Sequence, residues 1–254
     1  MTMQEISPRT RRSVWRRQFL VQGCWNYEGM QNVGFAYAIL PALREIYSGR
    51  PEEALKSVKR HLEFFNTHPV MGAVVLGAGI RLEERTAAGE AAPGEVGAFK
   101  MGWMGSLGAI GDAFFWGSLR PMASVAGAIL ALVHPLAGIV ALLALYNVTH
   151  LAVRRGGFSA GMEGEAAAVE WLKKESLSTK TGNRKLAAAI LGGVYAGIFT
   201  GRSAVYGETG LHAVALFLIG AAAIQFVTMM FRKAVSPSEI LSFLLLVGVL
   251  ILWQ

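Results

Sequence analysis

A chain of 254 residues that is 53% hydrophobic and only 16% charged, with a mean hydropathy of +0.42, is too apolar for a soluble domain of its size, where charged residues approach a quarter of the total. Its single cysteine, Cys24, excludes an intramolecular disulfide framework. The net charge of +7 sits in clusters at 9–17, 154–155, 173–185 and 232–233 that each border an apolar run, which speaks against nucleic acid and for anionic lipid headgroups on the cytoplasmic side of a membrane.

In chain order, residues 1–18 read as a basic cytoplasmic tail and 19–153 as the core of the protein. The stretch 16–24, RRQFLVQGC, has the outline of a twin-arginine or lipoprotein export signal, but such a signal needs about 7–15 uninterrupted apolar residues. Here Phe19, Leu20 and Val21 alone fill the gap, so the stretch is expected to be working structure. Beyond Cys24, the residues Trp25, Asn26, Tyr27, Glu28, Gln31 and Asn32 mix aromatic rings with hydrogen-bonding groups as a built site or a satisfied polar face would.

Residues 51–65, PEEALKSVKRHLEFF, open with proline and two acids and repeat Leu55, Val58, Leu62 and Phe65 at helical spacing. This predicts an amphipathic helix lying on a surface or in the interface plane. Asn66, Thr67, His68 and Pro69 then read either as a helix-entry turn, with Asn66 or Thr67 capping and Pro69 first in the helix, or as a re-entrant tip that presents polar groups to a ligand. The apolar run 70–80 is too short to span a bilayer, and 85–97 reads as a loop.

Residues 101–119 carry glycines at 102, 105, 108 and 111 together with Asp112, which predicts a re-entrant or buried segment. Asp112 and Arg120 lie eight residues apart around Trp116, and an ionisable group inside a membrane segment is a functional-site hypothesis or a structural ion pair. The glycines form no phosphate loop, since the Lys-Ser/Thr ending is missing. The apolar stretch 122–153 is broken by His134 and Pro135 into two half-spans or one kinked span. Residues 154–185, with seven Lys or Arg, read as a cytoplasmic loop. Membrane helices are expected within 186–254, at 186–200, 211–231 and 240–253 extended back through Ser238 and Glu239, with the N-terminus cytoplasmic and the C-terminus external.

The five histidines, His61, His68, His134, His150 and His212, have no partners at metal-ligand spacing, and no nucleophile elbow is present. No metal site, cofactor or phosphoryl acceptor is expected. The fold class is thus all-α and polytopic, with re-entrant hairpins and an interfacial amphipathic helix in the N-terminal half and transmembrane helices in the C-terminal half.

Three stretches, FLVQGCWNYEGMQNVGFAYAILPAL (19–43), KRHLEFFNTHPVMGAVVLGAGIRLEE (59–84) and FKMGWMGSLGAIGDAFFWGSLRP (99–121), resemble in order the motifs of the IID membrane subunit of the mannose, fructose and sorbose family of sugar phosphotransferase systems. The resemblance implies a bacterial inner-membrane protein that pairs with a IIC membrane subunit to pass a hexose or amino-hexose inward, assembled as a trimer of IIC-IID pairs. Cytoplasmic IIA and IIB proteins would relay phosphate to the sugar, and the IID chain would be non-catalytic alone. It also moves the candidate substrate-binding residues to Asn66, Thr67, His68 and Asp112, because sugar hydroxyls need paired donors and acceptors inside an apolar site. Trp25, Asn26, Glu28, Gln31, Asn32, Trp116 and Arg120 take supporting or subunit-interface roles. The rivals are a membrane scaffold of a fragmentary, mainly regulatory system and an autonomous transporter.

Overall fold

The computed structural model describes residues 5–205. By its contacts the chain divides into two units, Met1–Ala189 and Ile190–Gln254, of which the second contributes only the C-terminal part of one helix to the described residues. The expected spans at 211–231 and 240–253 lie outside them.

Helix α1 (Pro8–Arg17) begins on a proline, whose missing N–H is harmless at that position, and Ser7 caps it by accepting the Thr10 N–H at 3.3 Å. Val14 is fully buried, the Ser7 N–H and hydroxyl donate to Glu45 at 2.6 and 2.9 Å, and the Ile6 N–H donates to Glu84 at 2.8 Å. Residues 1–18, expected as a tail, therefore include a docked helix, held by these bonds and by the burial of Ile6, Val14 and part of Trp15.

Helix α2 (Asn32–Ile46) carries Pro41 in its interior. Proline cannot donate to the carbonyl four residues back. Arg17 fills the gap, donating to the Tyr37 carbonyl at 3.3 Å while its guanidinium lies 4.5 Å over the Tyr37 ring. Helix α3 (Pro51–His61) is amphipathic, but its inward face is Ala54, Ser57, Val58 and His61, and Leu55 and Leu62 of the expected stripe are 57% and 41% exposed. The polar Ser57 and His61 can face inward because each finds a partner there, Ser57 donating to the Ala54 carbonyl at 2.8 Å and His61 meeting Glu83 at 2.8 Å.

Helix α4 (Gly72–Ala88) is buried over most of its length and stops at Gly89, whose φ of +80° suits glycine and lets the Glu90 N–H reach back to the Arg85 carbonyl at 2.9 Å. Helix α5 (Pro93–Gly111) starts within the stretch expected as a loop. It does not end at the glycines and Asp112: a π-helical stretch, Asp112–Leu119, carries it into α6 (Arg120–Ala131). Residues 101–119 thus belong to one continuous helical run, not to a hairpin. Within the π stretch the Ser118 hydroxyl donates to the Phe114 carbonyl at 2.6 Å.

The chain reverses at 132–134, and α7 (Pro135–Glu163) returns along α6. His134 and Pro135 are accordingly a boundary between two long helices, not a kink or a pair of half-spans. A Cβ on Gly138 would come 2.5 Å from the Gly127 carbonyl oxygen, so these helices touch through backbone. The same device joins α4 to α7, where a Cβ on Gly77 would lie 2.4 Å from the Phe158 oxygen and one on Gly161 2.4 Å from the Val74 oxygen. Small residues at such crossings let membrane helices approach closely.

Two runs, Pro93–Ala131 and Pro135–Glu163, are long and apolar enough to cross a membrane. Only 11% of the apolar window of the second is buried, leaving Leu136, Ile139, Val140, Leu143, Val148 and Leu151 exposed, so lipid or another apolar surface must cover them. Residues 154–185, expected as a loop, are helical over most of their length: the end of α7, then α8 (Glu165–Glu175) and the start of α9 (Leu177–Val205), which also contains 186–200. Charge density suggested a loop, yet Glu, Ala and Lys are strong helix formers, and Ala168 is fully buried.

Candidate functional site

The loop 21–31 folds around Asn26. Its backbone exchanges hydrogen bonds with Met30 at 3.1 and 2.9 Å, and its Oδ1 accepts the N–H groups of Glu28 and Gly29 at 3.1 and 2.8 Å, an arrangement that asparagine side chains favour at turns. The Asn26 amide also donates to Asn32 Oδ1 at 3.1 Å, and Asn32 donates to the Leu62 carbonyl at 2.7 Å. Gln31 completes the clamp: its backbone N–H reaches the Phe65 carbonyl at 2.9 Å, and its side chain donates to the Thr67 carbonyl at 2.7 Å and accepts the Thr67 N–H at 3.4 Å. Asn26, Gln31 and Asn32 therefore hold the loop 62–71 in place. Trp25, Tyr27, Glu28 and Cys24 are exposed, with the Trp25 and Tyr27 rings edge to face at 5.0 Å.

The clamped loop carries its polar tip into the helices. Thr67 and His68 are buried, and neither the Thr67 hydroxyl nor His68 Nε2 has a partner among the described residues. The His68 ring stacks on Phe115 at 4.8 Å and 7° and meets Trp116 edge-on at 4.9 Å, both within the π-helical stretch. Glycine makes this seat: a Cβ on Gly111 would lie 2.3 Å from His68 Cβ, and one on Gly108 3.8 Å from Thr67 Cα. Helix α4 begins only at Gly72, after Pro69, and the unpartnered Thr67 hydroxyl caps nothing. Asn66, on the same loop, is exposed.

The structure does not join every candidate. Asp112 is exposed, Arg120 is exposed, and the two form no ion pair among the described residues. Trp116 and Arg120 instead line a groove of about 380 Å³ between α6 and α7 with Ser124, Tyr146 and Asn147, within the size range of small-molecule sites.

Residues 5–254 match the family described as the PTS system mannose/fructose/sorbose family IID component. The chain belongs to that family. It is 40% identical over 151 residues to the mannose-specific EIID component of Escherichia coli K12, covering 59% of this chain and 53% of that one. It is 33% identical over 156 residues to the fructose permease IID component of Bacillus subtilis, covering 59% and 56%. The chain thus spans about half the length of these curated relatives. Among solved structures it is similar to the mannose transporter ManYZ in complex with microcin E492, with a TM-score of 0.61, 33% identity and coverage of 76% of this chain and 70% of that one.

In this IID chain several functional-looking residues had not stood out in the sequence. Tyr146, His150 and Arg154 recur every four residues on one face of α7 and meet His68, Trp116 and Gln18 around a second cavity. Their i, i+4, i+8 spacing was the signal, hidden because Arg154 counted only as a flanking charge. A second group is the buried carboxylate of Glu83, which accepts from Arg60 at 2.7 and 2.6 Å, Tyr47 at 2.6 Å and His61 Nε2 at 2.8 Å. Burial alone would raise the Glu83 pKa, but these donors hold it at about 2. Burial pushes the His61 pKa down despite Glu83, and burial beside Glu83 pushes the Tyr47 pKa up.

Gln31 offers a direct check on the clamp. Gln31→Met keeps volume but strips Thr67 of both side-chain partners, which is expected to cost about 1–3 kcal/mol and to appear as a lower unfolding midpoint of the purified protein. An unchanged midpoint would mean that the loop 62–71 stands without it.

Proposed function

We propose that this chain works with a IIC membrane subunit to form the path by which a hexose or amino-hexose crosses the bacterial inner membrane, coupled to its phosphorylation by IIB with IIA as the upstream phosphocarrier. The observation that carries this reading is the Thr67–His68 tip, a polar pair with unsatisfied hydrogen-bonding groups seated against aromatic rings inside an apolar helical layer. Buried polar groups without partners are costly and fit a site that meets a polar ligand. Membership of the IID family, and relatives named as mannose, fructose and sorbose components, support the substrate class.

Asn66, Thr67, His68 and Asp112 are the substrate-binding set. Trp116 and Arg120 face the neighbouring groove, and Trp25, Asn26, Glu28, Gln31 and Asn32 support the tip or meet IIC. The exposed apolar face of α7 would then lie against lipid or IIC, and the exposed Leu55, Leu62 and Phe64 near α3 would sit in the interfacial layer. The re-entrant reading is kept for the tip at 66–68 and the short run 70–80 that follows it; in support, the tip packs beside Gly108, Gly111 and Phe115, midway along the run Pro93–Ala131. The N-terminus is cytoplasmic, the C-terminus external, 154–185 cytoplasmic, and three IIC-IID pairs associate.

Sugar uptake by cells that carry this chain with its IIC, IIB and IIA partners tests the reading. Asn66→Ala, Thr67→Ala and Asp112→Asn are expected to lower uptake at least tenfold while co-purification with IIC persists. Unchanged affinity and rate in all three would remove the tip and Asp112 from the site.

A further inference from the structure

The cavity beside the tip, about 230 Å³, is lined by polar groups that no carboxylate balances. Gln18 is 1% exposed and lines it, yet neither its amide nitrogen nor its amide oxygen has a partner among the described residues. His68, 2% exposed, accepts the Val70 N–H at Nδ1 at 3.3 Å, which puts its proton on Nε2, and Nε2 is the atom left unpaired. Arg154 is 4% exposed; it donates to the Gln18 carbonyl at 3.0 Å and to His150 Nε2 at 3.1 Å, and its guanidinium lies 4.7 Å from the Phe19 ring centre.

None of the described residues lining this cavity is acidic, so among them Arg154 is the charged group, and its described partners, the Gln18 carbonyl and His150, carry no negative charge. Burying a cation without an opposite charge is expensive, so a guanidinium 4% exposed with neutral partners calls for a ligand or a structural reason. The arrangement offers a guanidinium, an imidazole N–H and an amide to whatever enters. Those are the donors that recognise a carboxylate or phosphate, with Arg154 supplying the charge. A neutral sugar would pair with the amide and the imidazole but would leave the charge of Arg154 unanswered.

We propose that Gln18, His68 and Arg154 form an oxyanion-binding site, which takes the carboxylate or phosphate group of a small anion or of an anionic lipid headgroup between Phe19, Trp116 and Tyr146. His68 is shared with the sugar-binding tip, but the site is read by binding and not by uptake, so its failure leaves the transport reading intact.

The test uses the purified full-length chain in uncharged detergent at constant ionic strength. Thermal unfolding and tryptophan fluorescence are measured against inorganic phosphate, glucuronate, neutral mannose, and bicelles of phosphatidylcholine with or without phosphatidylglycerol. A saturable upward shift of the midpoint with phosphate or glucuronate supports a free anion as ligand, and one confined to phosphatidylglycerol supports a headgroup. Either response is expected to weaken at least tenfold in Arg154→Gln and in Gln18→Leu. Gln18→Leu replaces an unpaired buried amide by an apolar group, so it should fold at least as well as the parent chain and keeps the test decisive if Arg154→Gln does not fold. No saturable response to any anion, a response to mannose alone, or anion responses unchanged in Gln18→Leu would each overturn the proposal.

Discussion

Glu83→Gln is expected to be the most destabilising single substitution in the α3–α4 region, costing roughly 3–5 kcal/mol, because it leaves the Arg60 guanidinium facing a neutral amide in a buried setting. Glu83 has a fully buried side chain, and Arg60 keeps only 14% of its side-chain surface. The carboxylate gathers four hydrogen bonds from three side chains on α3 and at the end of α2, so its loss uncouples two helices from α4. Lys100 on α5 adds to the lock from outside the carboxylate, donating to the carbonyls of Arg60 and His61 at 3.1 and 3.3 Å with its ammonium 5.1 Å from the Phe35 ring. Removing one rim partner should cost far less: Tyr47→Phe deletes a single hydrogen bond, worth about 1 kcal/mol. The check is the unfolding midpoint of the purified protein, with Glu83→Gln lowered several times further than Tyr47→Phe; equal shifts would show that the charge is not what holds the cluster.

The same cluster sets a pH dependence. The His61 pKa is pushed down by burial in the fold, so below about pH 6.5, the ordinary imidazole value, the unfolded chain binds this proton more readily than the folded chain, and stability falls as pH falls. Glu83 is held at about 2, so a second loss begins below about pH 4.3, where unfolded glutamate protonates, and runs down to its folded value. Both groups act in the same direction. The midpoint should therefore decline from neutral pH toward pH 5 and more steeply below it, and Glu83→Gln should reduce the steeper part, leaving what Glu45 contributes.

The all-α, membrane-embedded character and an amphipathic helix at α3 were legible because hydropathy and periodicity act locally, but the bounds of the two membrane-length helices were not: the glycines at 102–111 and His134-Pro135 read as breaks, whereas the chain turns at 132–134 between two long runs. The polar tip was legible only as a choice between a turn and a ligand site, since the deciding contacts lie elsewhere: Gln31 clamps it from 36 residues away, and Gly111 gives it room. The run 101–119 was misjudged for a related reason. Glycines and an acid weaken a helix taken alone, but here two of the glycines pack on the tip and the chain stays helical through a π stretch, so the run continues. The Glu83 cluster left almost no trace in RLEER, which reads as the polar surface of a helix. Only the approach of Arg60 and His61 from α3 turns that surface into an interior.

Gly111→Ala should abolish most sugar uptake without unfolding the protein. Alanine favours helix by about 1 kcal/mol over glycine, so the helix itself gains, but the new Cβ would fall 2.3 Å from His68 Cβ and 2.8 Å from Met71 Cγ. Those are near-backbone atoms of a loop clamped by Gln31, so the tip has to move as a body, and misplacement by about 1 Å can cost on the order of 100-fold in a positioned site. Gly102 and Gly105 lie on the same stripe and nothing stands within 4 Å of their added Cβ among the described residues. Alanine there should leave the fold intact or slightly more stable, with uptake retained. Uptake measured in the three variants beside their IIC partner therefore separates the glycine that seats the tip from those that only line the helix. If Gly111→Ala transports as well as Gly102→Ala, the position of His68 does not matter for transport.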